Sequence, residues 1–485
     1  MIGNIGMNWR NRGLGIGGGL LGAIIAACPA VALCPADLPT AIEAIAQHPE
    51  LARARVGIQI ETLDGEAIYS RSGDRFFVPA STLKLVTTAA LLTELGPDYR
   101  IRTSVLGTVD GVGRATLQVV GYGDPSFDRS DLADLASQVS ELNVRQVDIL
   151  YGDDSAFAGE AVNPNWEWED VQAGYGAPVN ALILEENEIG LSLHPQTVGQ
   201  PLQVVWDVPS QGAGWTIENT TRTVAPGESE FVSVGRDLSQ PVLRVAGQLV
   251  AGSTPEPVSL AEPNPGPAFL NAMQTALAGQ GIEVQQVRLG PLPSTQNWGV
   301  LAVVQSPSLA ELLIPTNQSS NNLYAEALLK MLGSRRNPSA EDATAGGIAI
   351  ALNRLQTLGL DPADVVMVDG SGLARKNLIT PAALVDVLQI MARSPQADVF
   401  RESLAVAGQS GTLRHRWLDT PVEGQLSGKT GAISRNFALA GYLQPERYAP
   451  VAFTIFLNNI DAPGRVARSL IDEMVLAIAA LEPCE

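Results

Sequence analysis

Hydrophobic and polar positions change their spacing several times along the chain. Residues 38–54 carry apolar side chains at helical spacing, which predicts a short helix. Residues 56–73 alternate apolar and polar positions on both sides of Asp64-Gly65, and this pattern predicts a β-hairpin. A stripe of helical period then runs from Leu83 to Leu95, where Gly96-Pro97 ends the predicted helix. Ser81 therefore lies at the first turn of this helix, with Lys84 one turn further along the same face.

The middle of the chain has a different pattern. The segment from Ile101 to Ala302 is rich in Val, Gly, Pro and Thr, with short alternating runs at 115–123, 202–209 and 241–250. These runs predict one or two small, mostly β modules. Helical patterns return after Pro307, and two strand-like runs and a last helix follow.

This order of elements predicts an α+β fold. We expect a main domain formed by residues 33–101 and 303–485, whose sheet collects strands from both ends of the chain. Residues 102–302 would then form an inserted β-rich region, with two small subdomains.

Composition and charge are those of a globular protein. Hydrophobic residues make up 45% of the 485 residues and charged residues 17%. The formal net charge is −20, from 51 acidic and 31 basic residues. This balance repels phosphate backbones and anionic lipids, so we expect no nucleic-acid partner and no binding to a membrane surface.

The first 32 residues have the pattern of an export signal. Arg10 and Arg12 precede an uncharged, Gly-rich apolar stretch that ends in Ala30-Val31-Ala32. We predict cleavage after Ala32, which would leave no membrane span. A retained membrane anchor and lipoprotein processing at Cys28 are the alternatives; the glycines weaken the first, and Pro29 after the cysteine weakens the second.

Cleavage would leave two of the three cysteines, Cys34 and Cys484. An exported chain matures in an oxidising compartment, so we predict a disulfide that joins these two residues near the ends of the mature chain. The alternative is two unrelated thiols.

Three short motifs carry the candidate chemistry: Ser81-Thr82-Leu83-Lys84, Ser320-Asn321-Asn322 and Lys429-Thr430-Gly431. Singly, each has an ordinary structural explanation: the start of an amphipathic helix, a helix N-cap and a turn. In this order, and each in its expected local setting, they are the signature of penicillin-interacting serine enzymes.

The residue types in these motifs suit acyl transfer. A serine hydroxyl is a poor nucleophile without an adjacent base, and Lys84 can serve Ser81 if burial and nearby Lys429 lower its pKa. Ser320 can relay a proton to the leaving amine, and the Asn322 amide can hold the peptide group of the substrate.

The third motif suits the end of the substrate. Lys429 and Thr430 can bind a substrate carboxylate, and Gly431 lets substrate backbone run beside the strand.

Other catalytic plans fit poorly. A Ser-His-Asp triad needs a histidine, and none of His48, His194 and His415 follows a G-x-S-x-G elbow in the required order. No HExxH or HxxEH spacing indicates zinc, and the cysteines of the mature chain are far apart. We therefore expect no metal and no cofactor.

With these motifs the sequence resembles the D-alanyl-D-alanine carboxypeptidase/endopeptidases, the low-molecular-mass class C penicillin-binding proteins of the bacterial periplasm. Residues 367–381 and 404–416 are similar to further segments of the family, and the long separation of Ser81 from Ser320 matches its large insertion. The resemblance implies a penicillin-binding/β-lactamase-like transpeptidase domain, an antiparallel sheet flanked by helices, with the insertion between the first and second motifs.

The resemblance also implies roles for individual residues. Ser81 would be the acylated nucleophile and Lys84 the general base, with backbone N–H groups of Ser81 and Ala432 as the oxyanion hole. Ser320 and Asn322 would be proton relay and amide clamp. Lys429 and Thr430 would bind the substrate carboxylate. The diamino-acid end of the stem peptide would be bound by Asp170, Tyr175 and Arg375.

One position departs from the family pattern. Ser434 stands where some relatives have a longer amide, which leaves the preference of that subsite open. Asp170 and Tyr175 could also be ordinary surface residues of the inserted module.

The sequence thus predicts a periplasmic serine DD-peptidase that acts on peptidoglycan stem peptides through an acyl-enzyme and is covalently inhibited by β-lactams. A β-lactamase or esterase on the same scaffold and a non-catalytic wall-binding protein are the alternatives.

Overall fold

A computed structural model describes residues 33–237, 239–291, 298–336 and 341–484. The predicted export signal and its cleavage site at Ala32 lie outside these residues. The described chain divides into two compact units. The smaller unit comprises Glu167–Pro178 and Asn187–Pro263, and the larger unit comprises the rest.

Helices and strands alternate irregularly along the chain. The α-helices are α1 (Leu38–Ala46), α2 (Lys84–Leu95), α3 (Arg129–Glu141), α4 (Pro265–Gly279), α5 (Leu309–Asn317), α6 (Asn322–Arg336), α7 (Ala343–Thr357), α8 (Pro381–Ala392), α9 (Ala397–Glu402) and α10 (Gly464–Ala479). The strands are β1 (Arg55–Thr62), β2 (Ala67–Arg71), β3 (Arg102–Val109), β4 (Arg114–Val120), β5 (Gln146–Asp153), β6 (Glu188–His194), β7 (Gln203–Trp206), β8 (Thr216–Asn219), β9 (Arg222–Val224), β10 (Phe231–Arg236), β11 (Val242–Val250), β12 (Glu256–Ala261), β13 (Glu283–Val284), β14 (Val287–Leu289), β15 (Gly299–Gln305), β16 (Val365–Val366), β17 (Leu378–Ile379), β18 (Ala405–Val406), β19 (Leu426–Ile433), β20 (Asn436–Leu443) and β21 (Val451–Asn458).

The main sheet of the larger unit has the strand order β18-β19-β20-β21-β1-β2, and all its neighbours are antiparallel. Strands β1 and β2 form the predicted hairpin around Asp64-Gly65 and join strands from the far end of the chain. Alternate residues of β21 (Phe453, Ile455 and Leu457) enter a core shared with α1 and α10. Helix α8 packs against β1, β20 and β21. The predicted α+β fold, an antiparallel sheet flanked by helices, is confirmed.

A second sheet of the larger unit comes from the inserted segment. Its strand order is β13-β5-β4-β3-β15, with β14 also paired to β5. Helices α3 and α4 pack on this sheet through a core that includes Leu135, Val139, Phe269 and Met273. The insertion was predicted to be mostly β, and these two helices were not predicted.

The smaller unit contains two small sheets. One has the order β12-β6-β7; in the other, β11 pairs with β10, β8 and β9. Its core is formed by aliphatic side chains such as Leu191, Leu193, Leu243 and Val245. The predicted domain boundaries at 101/102 and 302/303 stay predictions.

The structure contains the predicted Cys34–Cys484 disulfide, with the two Cα atoms 5.0 Å apart. Leu33 forms a parallel bridge with Leu481, so the two ends of the described chain are neighbours. Within the described ranges, none of the helices has both the length and the apolar character needed to cross a membrane.

Candidate active site

The first motif lies where a tight turn enters a buried helix. Residues Ala80–Leu83 form a 3-10 turn that leads directly into α2. Ala80 has a φ of +48°, a left-handed conformation that is uncommon for a residue with a Cβ. The helix that follows is almost wholly buried, so the Ser81 turn is anchored to the hydrophobic core through α2.

Lys84 is fully buried, and three oxygen atoms surround its amine. Nζ lies 3.1 Å from Ser81 Oγ, 2.7 Å from Asn322 Oδ1 and 2.8 Å from the Ser371 carbonyl oxygen. The amide and carbonyl oxygens can only accept hydrogen bonds. A neutral amine satisfies both with its two N–H groups, and its lone pair can then accept the Ser81 hydroxyl proton. The arrangement therefore suits a lysine that acts as a base.

Burial lowers the pKa of Lys84 from 10.5 to about 7, against the opposing effect of the buried acids Asp369 and Glu326. The pKa of Lys429 is also lowered well below its usual value, by burial first and by the charge of Lys84 second. Burial and Lys429 were together predicted to lower the pKa of Lys84. Burial lowers the pKa of Lys84 as predicted. The repulsion between the two lysines lowers the pKa of Lys429 instead.

The second motif lies in the turn between α5 and α6. Ser320 has a φ of +62° and accepts a 2.7 Å hydrogen bond from Lys429 Nζ. Asn321 caps α6, because its Oδ1 accepts from the Tyr324 backbone N–H, and its amide donates to Glu186. The middle residue of the motif therefore caps the helix. The other two residues contact the lysines: Ser320 contacts Lys429, and Asn322 contacts Lys84.

The third motif lies on β19. Lys429 Nζ donates to the Thr430 carbonyl as well as to Ser320, and Thr430 Oγ1 lies 2.9 Å from Thr412 Oγ1. A Cβ on Gly431 would lie 2.7 Å from the Pro79 carbonyl oxygen. Glycine therefore lets β19 approach the Ser81 turn, a requirement that was not predicted from the sequence.

The edge of β19 next to this motif is partly uncovered. Strand β18 pairs with β19 only at Ser427 and Gly428. Ala432 is exposed and pairs with Phe437 on β20. The structure thus leaves residues 429–432 without a β18 partner.

Sequence reasoning missed two buried acids near this site. Glu326 is 2% exposed and lies four residues after Asn322 on α6, so it lies on the same helix face. Asp369 is fully buried and belongs to the segment 367–381, which is similar to a segment of the family. The spacing from Asn322 was a signal that could have identified Glu326.

The residues predicted to bind the diamino-acid end of the stem peptide are divided between the units. Asp170 and Tyr175 belong to the smaller unit, where the tyrosine hydroxyl donates to Asp170 Oδ1 at 3.0 Å. Arg375 belongs to the larger unit and follows the turn at Asp369. Their joint role stays a prediction.

Comparison with known proteins identifies the family. A model of the D-Ala-D-Ala carboxypeptidase 3 (S13) family matches residues 38–481. The chain belongs to this family. It is therefore a serine-type peptidase, and the resemblance found in the sequence is confirmed.

Individual relatives agree with this assignment. The chain is 34% identical over 470 residues to a D-alanyl-D-alanine carboxypeptidase of Actinomadura sp. (strain R39), covering 92% of this chain and 86% of the relative. It is 28% identical over 437 residues to penicillin-sensitive carboxypeptidase A of Dictyostelium discoideum, covering 85% and 83%. The crystal structure of penicillin-binding protein 4 (DacB) from Haemophilus influenzae has the same fold, with a TM-score of 0.77 at 23% identity, covering 90% of this chain and 98% of the other.

Proposed function

We propose that this chain is an exported serine DD-peptidase that cleaves D-Ala-D-Ala or D-Ala–diaminoacyl bonds of peptidoglycan stem peptides, with Ser81 as the nucleophile. The observation that carries the proposal is the position of Lys84 Nζ, between Ser81 Oγ and two oxygens that can only accept. Membership of the S13 family and the carboxypeptidase name of the Actinomadura relative support the same reaction.

Acylation begins with a proton transfer. Lys84 takes the hydroxyl proton of Ser81 as Oγ attacks the carbonyl carbon of the terminal peptide bond. The backbone N–H groups of Ser81 and Ala432 stabilise the negative charge on the carbonyl oxygen. As the C–N bond breaks, the amine leaves with a proton, and the acyl group stays on Ser81 until water hydrolyses the ester.

Ser320 would give its hydroxyl proton to the leaving amine and take a replacement proton from Lys429 Nζ, whose hydrogen bond it accepts. Its Oγ accepts from Lys429, which directs the serine hydroxyl proton away from that lysine and toward the amine. Asn322, whose side-chain oxygen accepts a hydrogen bond from Lys84, would clamp the peptide group of the substrate. Lys429 and Thr430 bind the terminal carboxylate, and Gly431 lets the substrate backbone run beside β19.

Open space at Ser319, the residue before the second motif, supports endopeptidase activity in addition to carboxypeptidase activity. An open cavity of about 370 Å³ is lined by Ser319 and by Thr412, whose Oγ1 is hydrogen-bonded to Thr430 Oγ1. It can take a leaving group larger than D-alanine, such as a diaminoacyl residue. The cavity is lined by Gln318, Ser319, Gly411, Thr412, Arg414 and His415.

We extend the proposal to two further features of the family. Asp170, Tyr175 and Arg375 would bind the zwitterionic end of the diamino acid by opposite charges. β-Lactams would acylate Ser81, since the Haemophilus influenzae protein of the same fold has been crystallised in complex with a β-lactam. Export to the periplasm follows from the predicted signal and agrees with the disulfide.

The test is the intact mass of the protein after incubation with benzylpenicillin. We expect one adduct on the wild type and on Ser394→Ala, a control serine outside the site, and none on Ser81→Ala. Rapid loss of the drug without an adduct would favour a β-lactamase. Neither adduct nor drug loss would favour a non-catalytic wall-binding protein.

A further inference from the structure

A short backbone turn connects the catalytic lysine to a buried acid. The Ser371 carbonyl accepts from Lys84 Nζ at 2.8 Å, and the Ser371 N–H donates to Glu326 Oε1, also at 2.8 Å. Glu326 Oε1 accepts a second bond, of 3.0 Å, from the Gly370 N–H. The carbonyl of Gly370 in turn accepts from Thr87 Oγ1 on α2, one turn beyond Lys84. Helices α2 and α6 therefore hold this turn from two sides, and Ser371 joins Lys84 to Glu326.

The ionised form of the second acid, Asp369, is stabilised by its partners. Each of its two carboxylate oxygens accepts two N–H groups, at distances between 2.7 and 3.0 Å. A proton on either oxygen would have to displace one of these donors. Burial raises the pKa of Asp369, and these four donors oppose that shift, so of the two acids Asp369 has the better stabilised ionised form. The four donors are the backbone N–H groups of Gly372 and Ala374, Trp166 Nε1 and Asn377 Nδ2.

Glu326 is the member of the pair that can take a proton. Burial, with the charge of Asp369 as the second cause, raises the pKa of Glu326 from 4.5 to about 7. The two backbone donors to its carboxylate both bind Oε1, so a proton on Oε2 displaces neither. Glu326 can thus change its charge near neutral pH without losing its hold on the 370–371 turn.

Other charges also act on this group of residues. Lys84 acts on it from α2. Lys429 lies on β19, and its pKa is lowered by burial and by the charge of Lys84. Lys330, one turn after Glu326 on α6, donates to the carbonyls of Glu160 and Val179. The pKa of Lys330 is lowered by burial, and the Glu326 carboxylate is the first charge that opposes the shift.

We propose that Glu326 is a positioning residue that holds Lys84 in place through Ser371 and, by gaining or losing its own proton, sets the pH range in which Lys84 is the base. The proposal rests on the proposed role of Lys84. When Glu326 is ionised, its charge favours the ammonium form of Lys84. When Glu326 is protonated, Lys84 loses its proton more easily. The two groups therefore titrate together, over a wider pH range than a single group would.

Glu326→Gln tests this proposal with little change of shape. The glutamine Oε1 can still accept from Gly370 and Ser371, while the negative charge is lost. The measurement is the rate of acylation by benzylpenicillin between about pH 5 and pH 9, the range in which such groups titrate. We expect the midpoint of the acidic limb to fall by on the order of one pH unit. We also expect the limb to steepen to the slope of a single group. Asp124→Asn, which neutralises a buried acid that does not shift Lys84, should keep the wild-type profile.

An unchanged midpoint and slope in a folded Glu326→Gln variant would overturn the proposal. If that variant does not fold, the charge state of Lys84 can be followed by ¹³C-lysine NMR in Ser81→Ala, which keeps Glu326. A titration curve with the slope of a single group would then overturn it. Failure of the proposed function gives a different result, because Lys84→Met would then still acylate. If Lys84→Met is silent and Glu326→Gln keeps the wild-type profile, only this inference fails.

Discussion

Replacing Lys84 by methionine should change how the stability of the protein depends on pH. Methionine has a similar length, so the substitution removes the amine and keeps most of the packing. The pKa of Lys84 is lowered from 10.5 to about 7, chiefly by burial. Between these two values the unfolded chain binds one more proton at this position than the folded chain does.

The sign and size of the effect follow from this difference. Wild-type stability is reduced in full below about pH 7 and recovers as the pH rises toward 10.5. The recovery is at most about 1.4 kcal/mol per pH unit, or about 5 kcal/mol over the whole window. Lys84→Met lacks this pH-dependent contribution to the free energy of unfolding. It leaves Asn322 Oδ1 and the Ser371 carbonyl without their donor, which costs about 1–3 kcal/mol each at every pH.

The assay is urea unfolding followed by tryptophan fluorescence at several pH values from about 7 to 10, the range set by the two pKa values. We expect the wild type to gain stability relative to Lys84→Met as the pH rises. Lys376→Met, which removes an exposed lysine, is the matched control and should differ from the wild type by the same amount at each pH. A wild-type curve parallel to that of Lys84→Met would refute the assignment of a neutral, buried Lys84.

Two further predictions concern the frame around the site. Gly431→Ala should lower the acylation rate at least about tenfold, the effect of a small misplacement of reacting groups, because its Cβ would lie 2.7 Å from the Pro79 carbonyl. Gly279→Ala, where a Cβ meets no atom within 4 Å, should leave the acylation rate unchanged. Replacing Cys34 and Cys484 by serine should lower the free energy of unfolding by about 2–5 kcal/mol and leave the acylation rate unchanged, which urea unfolding and penicillin kinetics would check.

The sequence predicted the main sheet because its strands carry clear local patterns. The Asp64-Gly65 hairpin was visible as two alternating runs, and the two closing strands were visible as strand-like runs. Both ends of the chain share one sheet because β1 of the hairpin pairs with the closing strand β21. Helix α3 was missed although its signals were present. Asp128 and Asp131 form a capping box, and the buried side chains that follow have helical spacing.

The chemistry of the site could be predicted only in part. The three motifs identify the candidate catalytic and substrate-binding residues, because each motif is a contiguous string with a known local setting. The charge state of Lys84 depends first on its own complete burial and then on the buried acids Asp369 and Glu326, which are distant in sequence. Burial of an ionisable group has no signature in sequence, since the same residue types usually lie at the surface.

The charge state of Lys429 in the empty site can also be tested, because a residue that binds a carboxylate should itself be charged. Burial and the charge of Lys84 lower the pKa of Lys429 well below its usual value, so it is a weak base before substrate arrives. An incoming carboxylate would raise that pKa and stabilise the ammonium form. We therefore predict that binding of benzylpenicillin to Ser81→Ala takes up as much as one proton.

Calorimetry in buffers with different ionisation enthalpies measures this uptake directly, because the buffer supplies the proton. Lys429→Met in the same background should bind more weakly and without proton uptake. A binding enthalpy that is the same in all buffers would show that Lys429 is already charged before binding. Its 2.7 Å contact with Ser320 would then be an ammonium–hydroxyl bond from the start. Proton uptake would instead show that substrate creates the charge that holds it, so that the buried site carries no uncompensated cation while empty.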